Sequence, residues 1–347
     1  GRSGLRVSPL CLGTMTFGTA WGFGAEEASA ARILDHYLDQ GGNFVDTANI
    51  YNKGESEQII GNYFSKVSSK RDRIVLATKF GGNTAAGDPN SGGGSRKAII
   101  AACDASLRRL QTDYIDLYWQ HWEDPFAPMD ETLRTLDDLV RAGKIRYVGF
   151  SDTSAWKIAV AHTTALFRGW EPLTAIQVEY SLLERTSDGE LFPMARELGF
   201  GVTSWAPLAS GVLTGKHTRE SLSNASGGRA GSYARYANDH TYNVLDALQP
   251  IAKKHGSTVG RVAIAWVCQH PDITAPMLGA RSIEQLKDNL AALELKLDAE
   301  DVASLNAVSA PRLNFPAGLL KGAMSQTYAN MNVNGRLYGA APMSDKK

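Results

Sequence analysis

Eight times in succession this chain sets a short apolar, β-branched run ahead of a stretch whose apolar residues recur at helical spacing. The short runs fall at residues 7–13, 44–45, 73–80, 114–122, 146–152, 174–181, 201–208 and 272–279. The helical stretches fall at 26–40, 55–64, 95–110, Met129–Arg141, 154–167, 187–198, 241–255 with 257–269, and 282–293; one more covers 298–307. Strict alternation of this kind implies a parallel sheet with helices packed against it. A doubly wound sheet needs a G-x-G-x-x-G turn after its first strand, and no strand end here carries one. The expectation is therefore an α/β fold of one domain spanning 1–347. It is a (β/α)8 TIM barrel with an N-terminal strand segment, two extra helices and long loops on the C-terminal face. Gly41, Gly143 and Gly199 are placed to stop helices, and Ser95 and Ser154 to cap them.

Two stretches fall outside the alternation. Residues 209–240 are rich in Gly, Ser and Arg and too long for a plain connector, so they read as a functional loop covering a cofactor. The tail 308–347 has no clear period and is assigned, with the glycine-rich loop 81–95, to the border of a substrate pocket.

Composition narrows the partners. The 347 residues include 36 basic and 36 acidic side chains, a balance that disfavours nucleic acid or an anionic membrane, since either selects a basic excess. No apolar run approaches a membrane-spanning length. Cys11, Cys103 and Cys268 are far apart and form no C-x-x-C pair. Neither a disulfide framework nor a zinc site is expected, and a reducing, cytoplasmic setting fits. No stretch reads as a signal peptide, although the first residue is Gly1 rather than Met. A homo-oligomer is compatible with all of this.

Chemistry concentrates near the stretch 41–61. Asp46 ends the second strand, and Tyr51 follows in a short loop before a helix. Lys79 ends the third strand, and His121 stands at the end of the fourth. Singly, each has an ordinary reading: a surface Tyr, a solvated Lys, a His packed between Trp119 and Trp122. Together they occupy the C-terminal edge of three consecutive strands, where barrel enzymes carry their catalytic groups. A phenol has a pKa of about 10, so it protonates a carbonyl oxygen only if its phenolate is stabilised. Lys79 is the expected cation and Asp46 its counter-ion. The expectation is a Tyr51 pKa lowered by about two units, which takes about 2.7 kcal/mol. His121 Nε2 would hydrogen-bond and orient the same substrate oxygen. No metal is required.

Carbonyl reduction by these groups needs a hydride donor, and the later strand ends offer a nucleotide site. Trp205, at the end of strand 7, can stack on a flat cofactor ring. Leu208, Ala209, Ser210 and Gly211 follow, mostly small residues whose backbone amides can approach a pyrophosphate, and Lys216 adds charge. After strand 8, Gly279, Ala280, Arg281 and Ser282 open a helix carrying Gln285, Asp288 and Asn289. Arg281 with Ser282 suits the 2′-phosphate that distinguishes NADP, because a guanidinium binds phosphate in a fork.

With these residues in view, the chain resembles the aldo-keto reductase family over nearly its whole length. The family pattern D-T-A-x-x-Y with S-E and G downstream is matched by Asp46, Thr47, Ala48, Tyr51, Ser56, Glu57 and Gly61. The stretch LRRLQTDYIDLYWQHW is similar to the second signature and carries its His121. RAGKIRYVGFSD, QVEYSLLER, SWAPLASGVLTGK and GARSIEQLKDNL are similar to later blocks. The long loop after strand 7 and the GAR motif look most like the bacterial and potassium-channel-β-like branches.

The resemblance implies a catalytic tetrad of Asp46, Tyr51, Lys79 and His121, with Tyr51 as acid and base. It implies NADP(H), with Ser151 and Gln177 on the carboxamide and Trp205 against the nicotinamide ring. Gly13, Thr14, Met15, Asp46, Ala206, Pro207, Leu208, Ser210, Gly211 and Lys216 join the cofactor site. Gly279, Arg281, Gln285 and Asn289 surround its adenosine phosphate end. Trp21, Phe23 and Trp122 join Tyr51 and His121 around a hydrophobic or ring-bearing carbonyl or alcohol substrate. The implied function is reversible reduction of an aldehyde or ketone. The alternative is an NADP(H)-binding regulatory subunit with incidental reductase activity; a barrel isomerase or hydrolase without nucleotide is a further rival. Two positions depart from the pattern. Asn52 stands where Gly usually follows the Tyr, and Asp152 follows Ser151 where Asn is common, so Asp152 is not assigned to the carboxamide.

Overall fold

The computed structural model describes residues 1–216, 219, 222 and 233–339. Eight parallel strands close into a barrel in chain order. They are β1 (Cys11–Gly13), β2 (Phe44–Asp46), β3 (Val75–Phe80), β4 (Ile115–Gln120), β5 (Ile145–Ser151), β6 (Leu173–Glu179), β7 (Gly201–Trp205) and β8 (Ala275–Gly279). Closure runs through β1 on β8, with Cys11 opposite Met277 and Gly13 opposite Gly279. Outside lie α1 (Glu27–Asp39), α2 (Glu55–Lys66), α3 (Arg96–Leu110), α4 (Met129–Arg141), α5 (Ala155–Arg168) and α6 (Leu191–Leu198). Between β7 and β8 come α7 (Asp239–Lys254) and α8 (Val259–Cys268); α9 (Ile283–Leu290) and α10 (Ala299–Val308) follow β8. No helix among the described residues is long and apolar enough to cross a membrane.

The alternation of strand residues sorts the core into two layers. Phe44, Val75, Ala77, Leu117, Trp119, Ala175, Ala275 and Met277 pack together inside the barrel. Their neighbours Val45, Leu76, Val148, Phe150, Ile176 and Val202 pack with the helices outside. Trp119 is fully buried. Its ring needs Gly149 on β5, where a Cβ would lie 2.3 Å from Trp119 Cζ3. Outside, Gly61 lets α2 approach α3, because a Cβ there would lie 2.2 Å from the Arg109 carbonyl oxygen. The inner parity that carries Ala77 and Trp119 continues upward to Lys79 and His121, so strand geometry alone aims both side chains into the barrel mouth.

Some boundaries differ from the sequence reading. The first strand is confined to Cys11–Gly13. Upstream, Ser8 replaces ladder bonds with side-chain ones: its N–H donates to Asn43 Oδ1 at 2.6 Å and its hydroxyl donates to Leu10 O at 2.9 Å. Expected helix 187–198 begins instead with a 3-10 turn, Thr186–Asp188, before α6. There Asp188 accepts from Tyr180 OH and is paired with Arg185, contacts that hold it out of a helical turn. Ser95 caps α3 through the Ala98 N–H, as its position implied. Ser154 does not cap α5, because its hydroxyl donates to Glu123 Oε2 at 3.1 Å. The tail carries α11 (Ala317–Thr327) and a two-stranded ladder, Asn332–Val333 with Arg336–Leu337. Its apolar Phe315, Leu319 and Leu320 are exposed, so the segment shows no buried stripe from which a helix could be read. Within the expected cofactor loop and tail, residues 217–218, 220–221, 223–232 and 340–347 lie outside the described residues.

Candidate active site

The first half of the barrel rim, from β1 to β4, brings Asp46, Tyr51, Lys79 and His121 together. Asp46 and Lys79 are fully buried and form an ion pair. Lys79 Nζ also donates to Thr47 O at 2.8 Å and to Tyr51 OH at 3.2 Å. Gln177, from across the barrel on β6, donates through Nε2 to Asp46 Oδ2 at 3.2 Å. Because the phenol oxygen accepts from Lys79, its own proton is free to point toward a substrate. The Tyr51 and His121 rings meet edge to face at 5.7 Å.

Burial and the ion pair set the protonation states. Burial pushes the Asp46 carboxyl upward, opposed by Lys79. Burial also disfavours the Lys79 ammonium, but the Asp46 carboxylate and Tyr51 outweigh it and raise its pKa, so it stays charged. Tyr51 corrects the sequence expectation: its pKa is raised, not lowered. Burial is the largest cause, and Asp46 and Asp152 act with it against the pull of Lys79. The phenol is therefore held protonated, in its acid form. Burial and the Lys79 charge push His121 down to about 2, so it is a neutral imidazole. His121 Nδ1 is buried without a hydrogen-bond partner.

The local backbone explains why Tyr51 stands where it does. The three residues after it, Asn52, Lys53 and Gly54, all have positive φ, at 47°, 59° and 91°. Asn tolerates that region better than most residues. Buried Asn52 also supplies a side-chain clamp that Gly lacks. Its Nδ2 donates to Met15 O at 3.0 Å and Phe17 O at 2.9 Å, and its Oδ1 accepts from Trp21 N at 3.1 Å. Glu55 Oε2 accepts from Thr19 N and Ala20 N in the same loop. The departure from Gly thus ties the loop after β1 to the tyrosine loop. It sets Trp21 edge to face with Tyr51 at 6.4 Å and 6.2 Å from Phe23. Trp122 lies 4.3 Å from His121, ring centre to ring centre. Trp21 and Trp122 are partly exposed, at 37% and 40%, so the rings border the mouth instead of filling the core. Downstream, Ser56 donates to Thr14 O at 2.8 Å, and buried Glu57 pairs with Arg109 at 2.7 Å. Those motif residues hold the tyrosine loop and α2 in place.

The second half of the rim, from β5 to β8, is built differently. Ser151 is opposite Gln177 in the β5–β6 register, and its Oγ is buried without a partner. Trp205 is half-buried, and its Nε1 donates to Asp152 Oδ1 at 3.0 Å. Beyond it, Ala206, Ala209, Ser210 and Gly211 have φ of 53°, 47°, 60° and 102°. Three of these carry a Cβ, and backbone strain of this kind clusters at ligand sites. Pro207 is buried, Leu208 is partly buried and Lys216 is exposed. At β8, Ser282 Oγ caps α9 by accepting from Gln285 N, and Gln285 Oε1 accepts from Arg281 N at 2.9 Å. The Arg281 side chain is exposed. Buried Asn289 is held by Gly279 O at 3.3 Å. Thr14 is fully buried, and its hydroxyl donates to Asp46 O; Met15 is exposed beside it, and Gly13 faces Gly279.

These residues fit a nicotinamide nucleotide. The orphaned Ser151 hydroxyl lacks the polar partner that a carboxamide would supply, and the strained, glycine-containing turn at 206–211 follows the end of β7 on the same rim. An exposed guanidinium at the start of α9 offers a phosphate contact. The sequence reading missed the Asn52 clamp and the Asp152–Trp205 bond. Both positions were visible as departures from the family pattern, and that was their only signal.

Fold and site together define an oxidoreductase of the (β/α)8-barrel class. The sequence model of the aldo/keto reductase family matches residues 9–310, and the chain belongs to that family. It is 41% identical over 317 residues to an uncharacterized oxidoreductase of Bacillus subtilis, covering 89% of this chain and 94% of that protein. A putative aryl-alcohol dehydrogenase of Saccharomyces cerevisiae is 34% identical over 329 residues, covering 92% and 87%. Norsolorinic acid reductase B of Dothistroma septosporum is 34% identical over 329 residues, covering 92% and 83%.

Proposed function

We propose that the protein is an NADP(H)-dependent reductase of aromatic aldehydes or ketones, acting reversibly on the corresponding alcohols. The observation that carries this reading is the protonated Tyr51 phenol, held by a buried Asp46–Lys79 pair beside a neutral His121. NADPH, when bound, supplies the hydride. Tyr51 delivers its proton to the carbonyl oxygen, and the Lys79 ammonium stabilises the phenolate left behind. Neutral His121 donates a hydrogen bond to the same oxygen and orients it. Ser151 and Gln177 hold the carboxamide, Trp205 lies against the nicotinamide, and the 206–211 turn takes the pyrophosphate. Arg281 takes the 2′-phosphate, with Gln285 and Asn289 shaping that end. Gly13, Thr14 and Met15 line the cofactor side through backbone, since the Thr14 hydroxyl is spent on Asp46 O. Trp21, Phe23 and Trp122 form the substrate border. The names of the aryl-alcohol dehydrogenase and norsolorinic acid reductase relatives support an aromatic substrate. The protein acts as one barrel domain in the cytoplasm, with 209–216 and 233–240 on the cofactor side and 308–339 on the substrate side.

The test is NADPH oxidation against matched aromatic and aliphatic aldehydes, ketones and quinones. Turnover that favours aromatic carbonyls is expected. Tight NADPH binding with no turnover on any of them would instead support a regulatory, cofactor-binding role.

A further inference from the structure

Asp152 is a titratable group at the rim to which the proposed mechanism gives no work. It follows Ser151 at the end of β5, and its N–H donates to Gln177 O at 3.1 Å. Its backbone is left-handed, at φ 42°, which turns the carboxylate toward β7, where Oδ1 accepts from Trp205 Nε1. The two residues are 53 positions apart in sequence. Asp152 therefore touches the ring assigned to the nicotinamide and adjoins the serine assigned to its carboxamide.

An amide at this position would hold the indole equally well. A carboxylate adds a negative charge, and a charge fixed beside the ring acts on whatever positive charge develops there, less strongly where solvent screens it. Departure of hydride from a neutral dihydronicotinamide leaves a cationic ring. The full balance is carbonyl, NADPH and the Tyr51 proton on one side, alcohol and NADP+ on the other. We propose that Asp152 orients Trp205 and biases the site toward the oxidised, cationic cofactor, easing hydride departure and raising the affinity for NADP+ relative to NADPH. The inference rests on the cofactor reading above.

The charges around Asp152 permit this. Asp152 is exposed to solvent at the rim, yet desolvation by the protein packed around it raises its pKa to about 6, opposed by the Trp205 bond, by Lys79 from β3 and by the neighbouring Ser151 hydroxyl, while the Glu179 carboxylate at the end of β6 raises it further. Tyr51 feels its charge as well. The Lys79 ammonium is already committed to Asp46, and His121 stays neutral. Asp152 thus carries its charge at pH 8 and loses it toward pH 5.

The test is calorimetric titration of NADP+ and NADPH into wild type, Asp152→Asn and Trp205→Phe at pH 8 and pH 5. A close opposite charge shifts such an equilibrium by about one to three powers of ten, and solvent screening of the exposed Asp152 places the expected shift at about the lower end. In wild type at pH 8 the preference for NADP+ is expected to exceed that of Asp152→Asn by about tenfold or more. That excess should shrink at pH 5 and be flat with pH in Asp152→Asn. Trp205→Phe should weaken both forms while keeping the ratio. The ratio, unlike either affinity, cancels the titration of the cofactor phosphates. An unchanged ratio in Asp152→Asn, with both forms still bound, would overturn the proposal and leave the cofactor reading standing. Failure of wild type to bind either form would overturn both.

Discussion

The Asp46–Lys79–Tyr51 cluster and the β5–β8 half of the rim satisfy their polar groups in opposite ways, with His121 Nδ1 an unpartnered exception on the chemistry side. From β1 to β4, Asp46, Lys79 and Tyr51 bond mainly to one another and to nearby backbone, with Gln177 reaching across to help. From β5 to β8, Ser151 keeps a buried hydroxyl without a partner and the Arg281 side chain is exposed. A group that must perform chemistry is preorganised by the protein itself, so its field is fixed before the substrate arrives. A group that must bind is left incomplete until a ligand completes it. Damage to the first half should therefore cost both stability and chemistry. Damage to the second should cost affinity with little loss of stability.

The largest effect is expected for Lys79→Met. It leaves Asp46 buried and uncompensated, which typically costs about 3–5 kcal/mol. Denaturant unfolding would show that loss, and turnover should fall by about a thousandfold or more. Retained stability would mean that the first half is not the self-contained unit described. Arg281→Ala should weaken NADPH by roughly 1.5–3 kcal/mol, the range for a hydrogen bond to a charged group. NADH binding and the unfolding midpoint should hardly move. Equal weakening of both cofactors would remove Arg281 from the 2′-phosphate. Ser151→Ala is a smaller case: binding should drop by about 1 kcal/mol, while stability holds or rises because an unpaired buried hydroxyl is gone.

His121 links the stability of the first half to pH. Its pKa is about 2 in the folded protein against an ordinary value of 6.5. Between those values the unfolded chain binds the additional proton, so this residue makes the fold less stable as pH falls from about 6.5 toward 2. His121→Gln should flatten that part of the stability profile. The same substitution should leave no imidazole titration to remove from the activity profile above pH 5, since the folded imidazole is neutral there.

Much of the chemistry half was legible because it obeys strand parity. Asp46 ends β2, Lys79 is the penultimate residue of β3, His121 lies just past β4, and α4 starts and stops where its apolar period does. The cofactor half was legible mainly through motif resemblance. The Asp152–Trp205 bond joins β5 to β7, strands that do not pair with each other, so no local pattern encodes it. The Asn52 clamp depends on a left-handed backbone and on three partners in another loop. The raised Tyr51 pKa was missed for a quantitative reason. One close cation was weighed, and burial, which opposes it and is larger, was not.

The division of labour is tested most directly with Tyr51→Phe, by pairing NADPH titration with a single-turnover reaction against an aromatic aldehyde followed in the nicotinamide absorbance band. The substitution removes only a hydroxyl from the chemistry half. NADPH affinity is predicted to stay within about twofold of wild type, while the single-turnover rate drops by roughly 10²–10⁴, the range for a positioned acid. A rate equal to wild type would contradict the assignment of the proton to Tyr51, and a collapse of NADPH binding would contradict the separation of the two halves.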